Sequence, residues 1–450
     1  MKVGLIAMSG VRAYNEELTN LGLTLPGFVD RNKIIASLPS LGLLTLAGMT
    51  PEGTEIEYVE IADIKDVGEL PNSFDMIAIS TYSAQVFEAY ELSERYRQKG
   101  IKTVIGGPHV TRLPEEAKEH CDSVVIGEGE SSWLEVLNDC EHGKLKPFYS
   151  SFDKDFDLKD APIPRFELLN PEKYNRLTVQ TSRGCPHYCE FCAASILISK
   201  KYKQKPADKV IQEIRVIKKI WKRPFIEFAD DNTFINRKYW VGLLKELRTE
   251  DIRWFTETDV SVAEDNELLN LMRESGCQQV LIGFESPSKN GLDGLELSSN
   301  WKLKQLDKYK SAIEKIRAHG ITVNGCFILG LDGQDKSIFD EVWRFVQDSA
   351  LYEVQITVMT AFPGTALHER LKKEKRILRD GDWARCTLFD VNFQPEGMSV
   401  EELEKGFRDL AERVYSAEFT NFRKSRYKEM LRGMLEKPKE KQCYLCTVPR

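Results

Sequence analysis

Along the first third of the chain, short unbroken apolar runs alternate with stretches whose apolar residues recur every three or four positions. The runs KVGLIAM, EIEYVEI, DMIAIST, KTVIGGP and SVVIGEGE read as strands, while residues 86–99, stopped by Gly100, and 114–120 read as helices. Strands with no polar alternation need cover on both faces. Residues 1–149 are therefore expected to form a doubly wound, Rossmann-like α/β domain around a parallel sheet. An Asp- and Pro-marked stretch, SSFDKDFDLKDAPIPRFELLNP, predicts a linker over 150–175.

From 176 to 378 the alternation restarts with a longer period. LTVQTS, PFIEFAD, IRWFTETD, QQVLIGFES, ITVNGCFILG and EVQITVMTAF are each followed by a helical pattern, as where Val210, Ile214 and Ile217 line one face, and Gly276 and Gly320 stop later helices. Six βα units predict a partial (β/α)6 barrel, with its chemistry at the C-terminal ends of the strands by analogy with complete barrels. Residues 379–450 read as a mainly helical tail, and Ser399 with Glu402 makes a capping box before EELEKGFRDLAERVY.

Composition narrows the function classes. The 450 residues carry 63 Lys and Arg against 70 Asp and Glu, a net charge of −7, so no global field draws in nucleic acid. The longest apolar run, LGLLTLAGM, is far short of the roughly 20 residues that span a bilayer. A cytoplasmic protein that is not an integral membrane protein is the expectation. Residues 423–441 hold eight basic and three acidic side chains, which suit a solvated helix or a surface facing an anionic substrate.

Five of the ten cysteines fall in two tight groups. The first is RGCPHYCEFC, directly after the first strand of the second domain, with Cys185, Cys189 and Cys192 spaced C-x3-C-x2-C. Three thiolates on one loop can hold three corners of a four-iron four-sulfur (4Fe-4S) cluster and leave the fourth iron open to a reactant. The alternative is zinc, but a structural zinc site needs four ligands, His187 is awkwardly close to its neighbours, and the paired C-x2-C halves of common zinc modules are lacking.

This spacing, with aromatic Phe191 just before the last cysteine, resembles the radical S-adenosylmethionine (SAM) superfamily. The resemblance implies that SAM chelates the open iron and that one electron from the cluster breaks a sulfonium bond, in most members giving a 5′-deoxyadenosyl radical. It also implies roles for residues that would otherwise read as ordinary strand-end turns. Asp230, with Asp231 and Asn232, stands at the barrel mouth; Glu285, in IGFES, looks like the family's acidic residue near SAM. Gly325, Ile328 and Gly330 of GCFILG resemble the segment under the adenine, and Pro363, Gly364 and Thr365 resemble the PGT turn.

An α/β domain ahead of such a core resembles the cobalamin-binding subgroup. The residues that carry this are Ser80, Thr81 and Tyr82, then GGPHVT with Gly106 and Gly107, then GEGE with Gly127, Glu128 and Gly129. All are strand-end loops on one sheet edge, where open α/β folds bind ligands. The D-x-H-x-x-G motif of other corrinoid proteins is absent, so His109 reads as a loop histidine rather than a cobalt ligand. In TETDVSVAEDNELLNLMRESGCQQVLIGFESP, GCFILGLDGQD and AFPGTALHERLKKEKRIL the chain looks particularly like the hopanoid-methylase type and its tetraether-lipid-forming relatives, a resemblance that covers about residues 1–378. The resemblance implies cobalamin-dependent methylation of an unactivated carbon or phosphorus centre in a small-molecule or lipid-like substrate, with flavodoxin or ferredoxin as electron donor.

The second group is Cys443 and Cys446, the latter four residues before the last position. It reads as a frayed terminus, an auxiliary metal site, a dithiol, or a trap for a thiophilic substrate. The last option loosely resembles enzymes that transfer a 3-amino-3-carboxypropyl group from SAM to trivalent arsenic. Radical carbon-skeleton chemistry and a cluster- and corrinoid-binding sensor are the remaining rivals.

Overall fold

The computed structural model describes residues 1–14, 38–68, 71, 73–194, 198, 201–349 and 351–435, so Cys443 and Cys446 lie outside the described residues. The chain divides into two compact units, residues 1–231 with 360–394, and residues 232–359 with 395–450. The division falls inside the stretch expected to be one barrel, not at the linker. The linker itself is packed: it holds short 3-10 turns and buries Leu158, Phe166 and Leu169.

The first unit opens with six parallel strands: β1 (Lys2–Met8), β2 (Glu55–Ile61), β3 (Met76–Ser80), β4 (Lys102–Gly106), β5 (Ser123–Ile126) and β6 (Phe148–Ser150). Their order is β2-β1-β3-β4-β5-β6. Successive side chains point to opposite faces, and both faces are covered. Ile6, Ile77, Ile79 and Ile105 pack with Val86, Tyr90 and Tyr96 of helix Val86–Gln98. On the other face Val3, Leu5, Met76 and Val104 pack with Leu43, Ala47, Trp133 and Val136. That double burial is why the strands read as continuous apolar runs. Because the strands are parallel, the loops after β3, β4 and β5 emerge on one edge.

The first unit continues with β7 (Leu177–Val179) and β10 (Phe225–Phe228), which pair parallel. Between them a two-residue antiparallel ladder, β8 (Ser182–Arg183) with β9 (Lys203–Gln204), closes the base of the cysteine loop. The second unit holds β11 (Arg253–Thr258), β12 (Cys277–Glu285), β13 (Thr322–Leu329) and β14 (Glu353–Val358), parallel neighbours in chain order. Helices Asn266–Glu274, Tyr309–Ala318 and Ser337–Ser349 connect them. Its core centres on Phe284, in edge and stacked contact with Tyr309 and Phe327. Helix Val400–Tyr415 starts with the expected capping box and helix Ala417–Leu435 follows. Among the described residues no helix is long and apolar enough to cross a membrane.

Candidate functional site

The cysteine loop is held from its base. Gly184 has φ +93°, and a Cβ there would lie 2.8 Å from the Lys201 carbonyl oxygen, so only glycine turns the chain at this point. Its N–H donates to Asp231 Oδ2 at 2.8 Å. Asp230 accepts the N–H groups of Thr181 at 2.7 Å and Ser182 at 2.9 Å on one oxygen, and the Thr181 hydroxyl on the other. The two aspartates expected at the barrel mouth thus grip the root of the loop. At its far end the Glu190 carbonyl accepts from Leu367 N at 2.9 Å, and the Glu190 carboxylate takes Arg370 Nε at 3.0 Å and Nη2 at 2.7 Å. Arg370 belongs to helix Ala366–Lys373, which Thr365 of the PGT turn caps. The signature loop and that turn are therefore tied together, a link that motif spacing does not reveal.

Burial pushes the Asp230 carboxyl up from 3.8 to about 6, although the bonds from Thr181 and Ser182 oppose the change. Folded protein then holds this proton more tightly than unfolded chain, so the group makes stability fall as pH rises from about 4 to about 6, by about 3 kcal/mol at most. Asp230→Asn keeps an oxygen for both N–H groups and offers an N–H to the Thr181 hydroxyl. Its denaturation midpoint is expected to lack this part of the pH slope; parallel pH profiles for the two proteins would refute the assignment. Arg370→Gln is expected to cost about 2 kcal/mol, the worth of hydrogen bonds to a charged group, read as a lower denaturant midpoint.

The loop thiols fit an iron–sulfur group. Cys185, Cys189 and Cys192 are all partly exposed. By contrast Cys121, Cys277 and Cys386 are buried, and burial pushes their thiols up, that of Cys121 to about 11 and that of Cys386 to about 12. Those three behave as small core hydrophobes with inert thiols, and Cys140 and Cys326 are partly exposed but isolated, with thiols that burial likewise pushes up; the loop is where several accessible thiols share one short segment among the described residues. Phe191 sits partly buried between Glu190 and Cys192.

The sheet-edge loops also have definite places. Gly107 has φ +127°, and a Cβ would lie 2.4 Å from the Thr81 carbonyl oxygen; Gly127 has φ +84°, with a Cβ 2.3 Å from Ser151 Oγ. Gly106 has ordinary room for a Cβ, and Gly129 faces Leu46. Ser80 is partly exposed, whereas Thr81 is buried with its hydroxyl turned to the Tyr82 carbonyl. Tyr82 is 58% exposed, yet desolvation and then Glu227 raise its hydroxyl above the usual range. Gly107 and Gly127 thus pack against the protein's own atoms, while the loops that hold them share the C-terminal edge of the parallel sheet, where open α/β folds bind ligands. Neither ring nitrogen of His109 is open to cobalt. Nδ1 meets Ser83 Oγ at 3.0 Å and Nε2 meets Glu116 Oε1 at 3.3 Å, and the residue sits in the short helix Pro108–Arg112 rather than in a loop. Glu128 is buried in ion pairs with Arg183 at 2.7 Å and Lys203 at 2.6 Å, while Arg183 also holds Glu130 at 2.8 Å. The edge loop after β5 is thereby fastened to the ladder beneath the cysteines.

In the second unit, Glu285 adopts φ +61° at a bulge between Gly283 and Glu285. A left-handed non-glycine residue at a strand end is strained, as functional residues often are. Lys302 Nζ reaches both the Gly283 carbonyl and Glu285 Oε1, each at 2.8 Å. Gly325 makes room for core side chains: a Cβ would lie 2.7 Å from Leu351 and 3.1 Å from Phe284. Ile328 is nearly buried. The end of β13 is fixed by Gln334, which sequence reasoning missed. Its side-chain oxygen accepts Gly330 N at 2.9 Å and Leu331 N at 3.1 Å, and its amide donates to the Ile328 carbonyl at 3.1 Å.

Residues 179–346 match the radical SAM superfamily and residues 30–137 the B12 binding domain, while residues 365–448 match a domain of unknown function. The chain is 30% identical over 368 residues to an uncharacterized methyltransferase of Synechocystis, covering 80% of this chain and 67% of that protein. The chain belongs to the B12-binding radical SAM family. Bacteriochlorophyllide d C-12(1)-methyltransferase of Chlorobaculum tepidum is 28% identical over 84% of this chain and 83% of its own length. Hopanoid C-2 methylase of Rhodopseudomonas palustris is 26% identical over 77% and 67%. The fold is shared with the radical SAM methyltransferase TsrM of Kitasatospora setae, at TM-score 0.63 and 15% identity, covering 90% of this chain and 85% of that one. As a radical SAM enzyme with a B12 binding domain, this protein has a 4Fe-4S cluster, SAM and cobalamin as its cofactors.

Proposed function

We propose that this enzyme transfers a methyl group to an unactivated carbon or phosphorus centre of a small-molecule or lipid-like substrate, with Cys185, Cys189 and Cys192 holding the cluster. When bound, the cluster supplies the electron that splits SAM and the corrinoid supplies the methyl group. The observation that carries the reading is the fastening of the glycine-lined edge loop to the cysteine loop through Glu128, Glu130, Arg183 and Lys203. It fixes one cofactor-bearing loop with respect to the other, as a reaction using both demands. Methylases among the relatives, one named for bacteriochlorophyllide d and one for hopanoids, support methyl transfer without choosing the acceptor.

In this reading Glu285, Ile328 and Gly330 line the SAM side, Gly325 serves the packing behind them, Asp230 sets the root of the cysteine loop, and Tyr82 with the glycine loops borders the corrin. The test is product analysis. Reduced, cobalamin-loaded protein given methyl-labelled SAM and candidate tetrapyrrole or hopanoid acceptors is expected to release 5′-deoxyadenosine and S-adenosylhomocysteine together with labelled product. Methylthioadenosine in their place would overturn methyl transfer in favour of aminocarboxypropyl transfer.

A further inference from the structure

Beside the Pro363–Gly364 turn, within the first unit, lies a cavity of about 300 Å³ lined by Arg112, Gly364, His368, Lys372, Asp380 and Trp383. His368 is 5% exposed, and neither of its ring nitrogens has a hydrogen-bond partner. The nearest carboxylate oxygens stand out of reach: Glu369 Oε1 is 3.7 Å from Nδ1 and Asp380 Oδ1 is 4.0 Å from Nε2. The neighbouring Trp383 cannot serve, because its ring N–H is donated to Glu116 at 2.9 Å. A buried imidazole with nothing to bond is rare unless something else comes to meet it.

Two cations, Arg112 and Lys372, and two carboxylates, Glu369 and Asp380, line the cavity. Gly364, at φ +81°, lets the Arg112 stem lie on the turn, since a Cβ would fall 2.5 Å from Arg112 Cγ. The Arg112 guanidinium is partly stripped of water, which lowers its proton affinity. Lys372 meets Asp380 at 2.8 Å, a contact that neutralises that carboxylate yet uses one of three ammonium hydrogens. Glu369 is 63% exposed and solvated. We propose that this cavity binds a small oxyanion, a carboxylate or phosphate group, through His368 together with Arg112 and Lys372. A space of this size sits at the lower end of small-ligand pockets and suits such a group with a few attached atoms.

Titration calorimetry on full-length, cluster-reconstituted protein without SAM tests the proposal independently of turnover, with inorganic phosphate and acetate as separate probes. Saturable one-site binding of at least one probe is expected, weakened about tenfold or more in His368→Phe and severalfold in Lys372→Gln. Preference for phosphate assigns a phosphate-bearing ligand, and preference for acetate a carboxylate-bearing one. Lys372 is surface-exposed, so its variant carries the test even if His368→Phe does not fold. Absence of saturable binding by either probe, or affinity unchanged in the folded variants, overturns the site.

Discussion

Cys189→Ala protein, reconstituted anaerobically with iron and sulfide, is expected to lack the brown chromophore of the parent and to leave SAM uncleaved. The middle cysteine takes part in the loop's fold through its backbone alone, its carbonyl accepting Cys192 N at 3.1 Å. Alanine keeps that backbone bond and removes only the sulfur. On the proposed ligation, a cubane then has two protein corners in place of three and no single open iron for SAM. Iron and sulfide per chain, with 5′-deoxyadenosine release, measure the loss. The control is Cys277→Ala, which removes a fully buried thiol in the second unit. It is expected to retain iron and SAM cleavage while losing about 1 kcal/mol of stability to a small cavity. Equal loss of iron in both variants would deny the loop its special role.

Much of this arrangement was legible in the residues. The unbroken runs of β1, β3 and β4 announced strands covered on both sides, and Ser399 with Glu402 announced a helix start, because each signal is local. The C-x3-C-x2-C spacing was legible for the same reason. β6 was not read as a strand: three residues, Phe148–Ser150, are too few to show a period, and they run straight into a stretch marked by Asp and Pro. Composition alone reads that stretch as a linker, whereas Phe166 and Leu158 bury themselves, and long-range packing leaves no local trace. Asp230 was located at the right strand end, but its partners at Thr181 and Ser182 lie about fifty positions away in sequence. Gln334 looked like any loop glutamine until its amide was found closing the end of β13. What escapes sequence reading here is the wiring between motifs.

That wiring is most exposed at Arg183, where Arg183→Ala is expected to cost about 3–5 kcal/mol at neutral pH. Arg183 faces Lys203 directly across the β8–β9 ladder, a like-charge pair that would repel without the carboxylates set against it. Glu128 lies between the two cations, and Glu130 is held by Arg183 alone among the ion pairs of the described residues. Burial would push the Glu130 carboxyl up, but the Arg183 guanidinium outweighs it and holds the group below its usual 4.5. The stability this provides is therefore full above about pH 4.5 and is lost as pH falls through the folded value. Without the guanidinium, Glu130 is a buried charge with its main partner gone, and protonation relieves it. The gap between parent and variant is accordingly widest near pH 7 and narrows toward pH 4. Denaturant midpoints across that range measure it, and a gap independent of pH would show that Arg183 acts through packing rather than charge. The same substitution unfastens the β5 edge loop from the cysteine loop, so at pH 7 SAM cleavage is expected to become uncoupled from methylated product in whatever fraction stays folded.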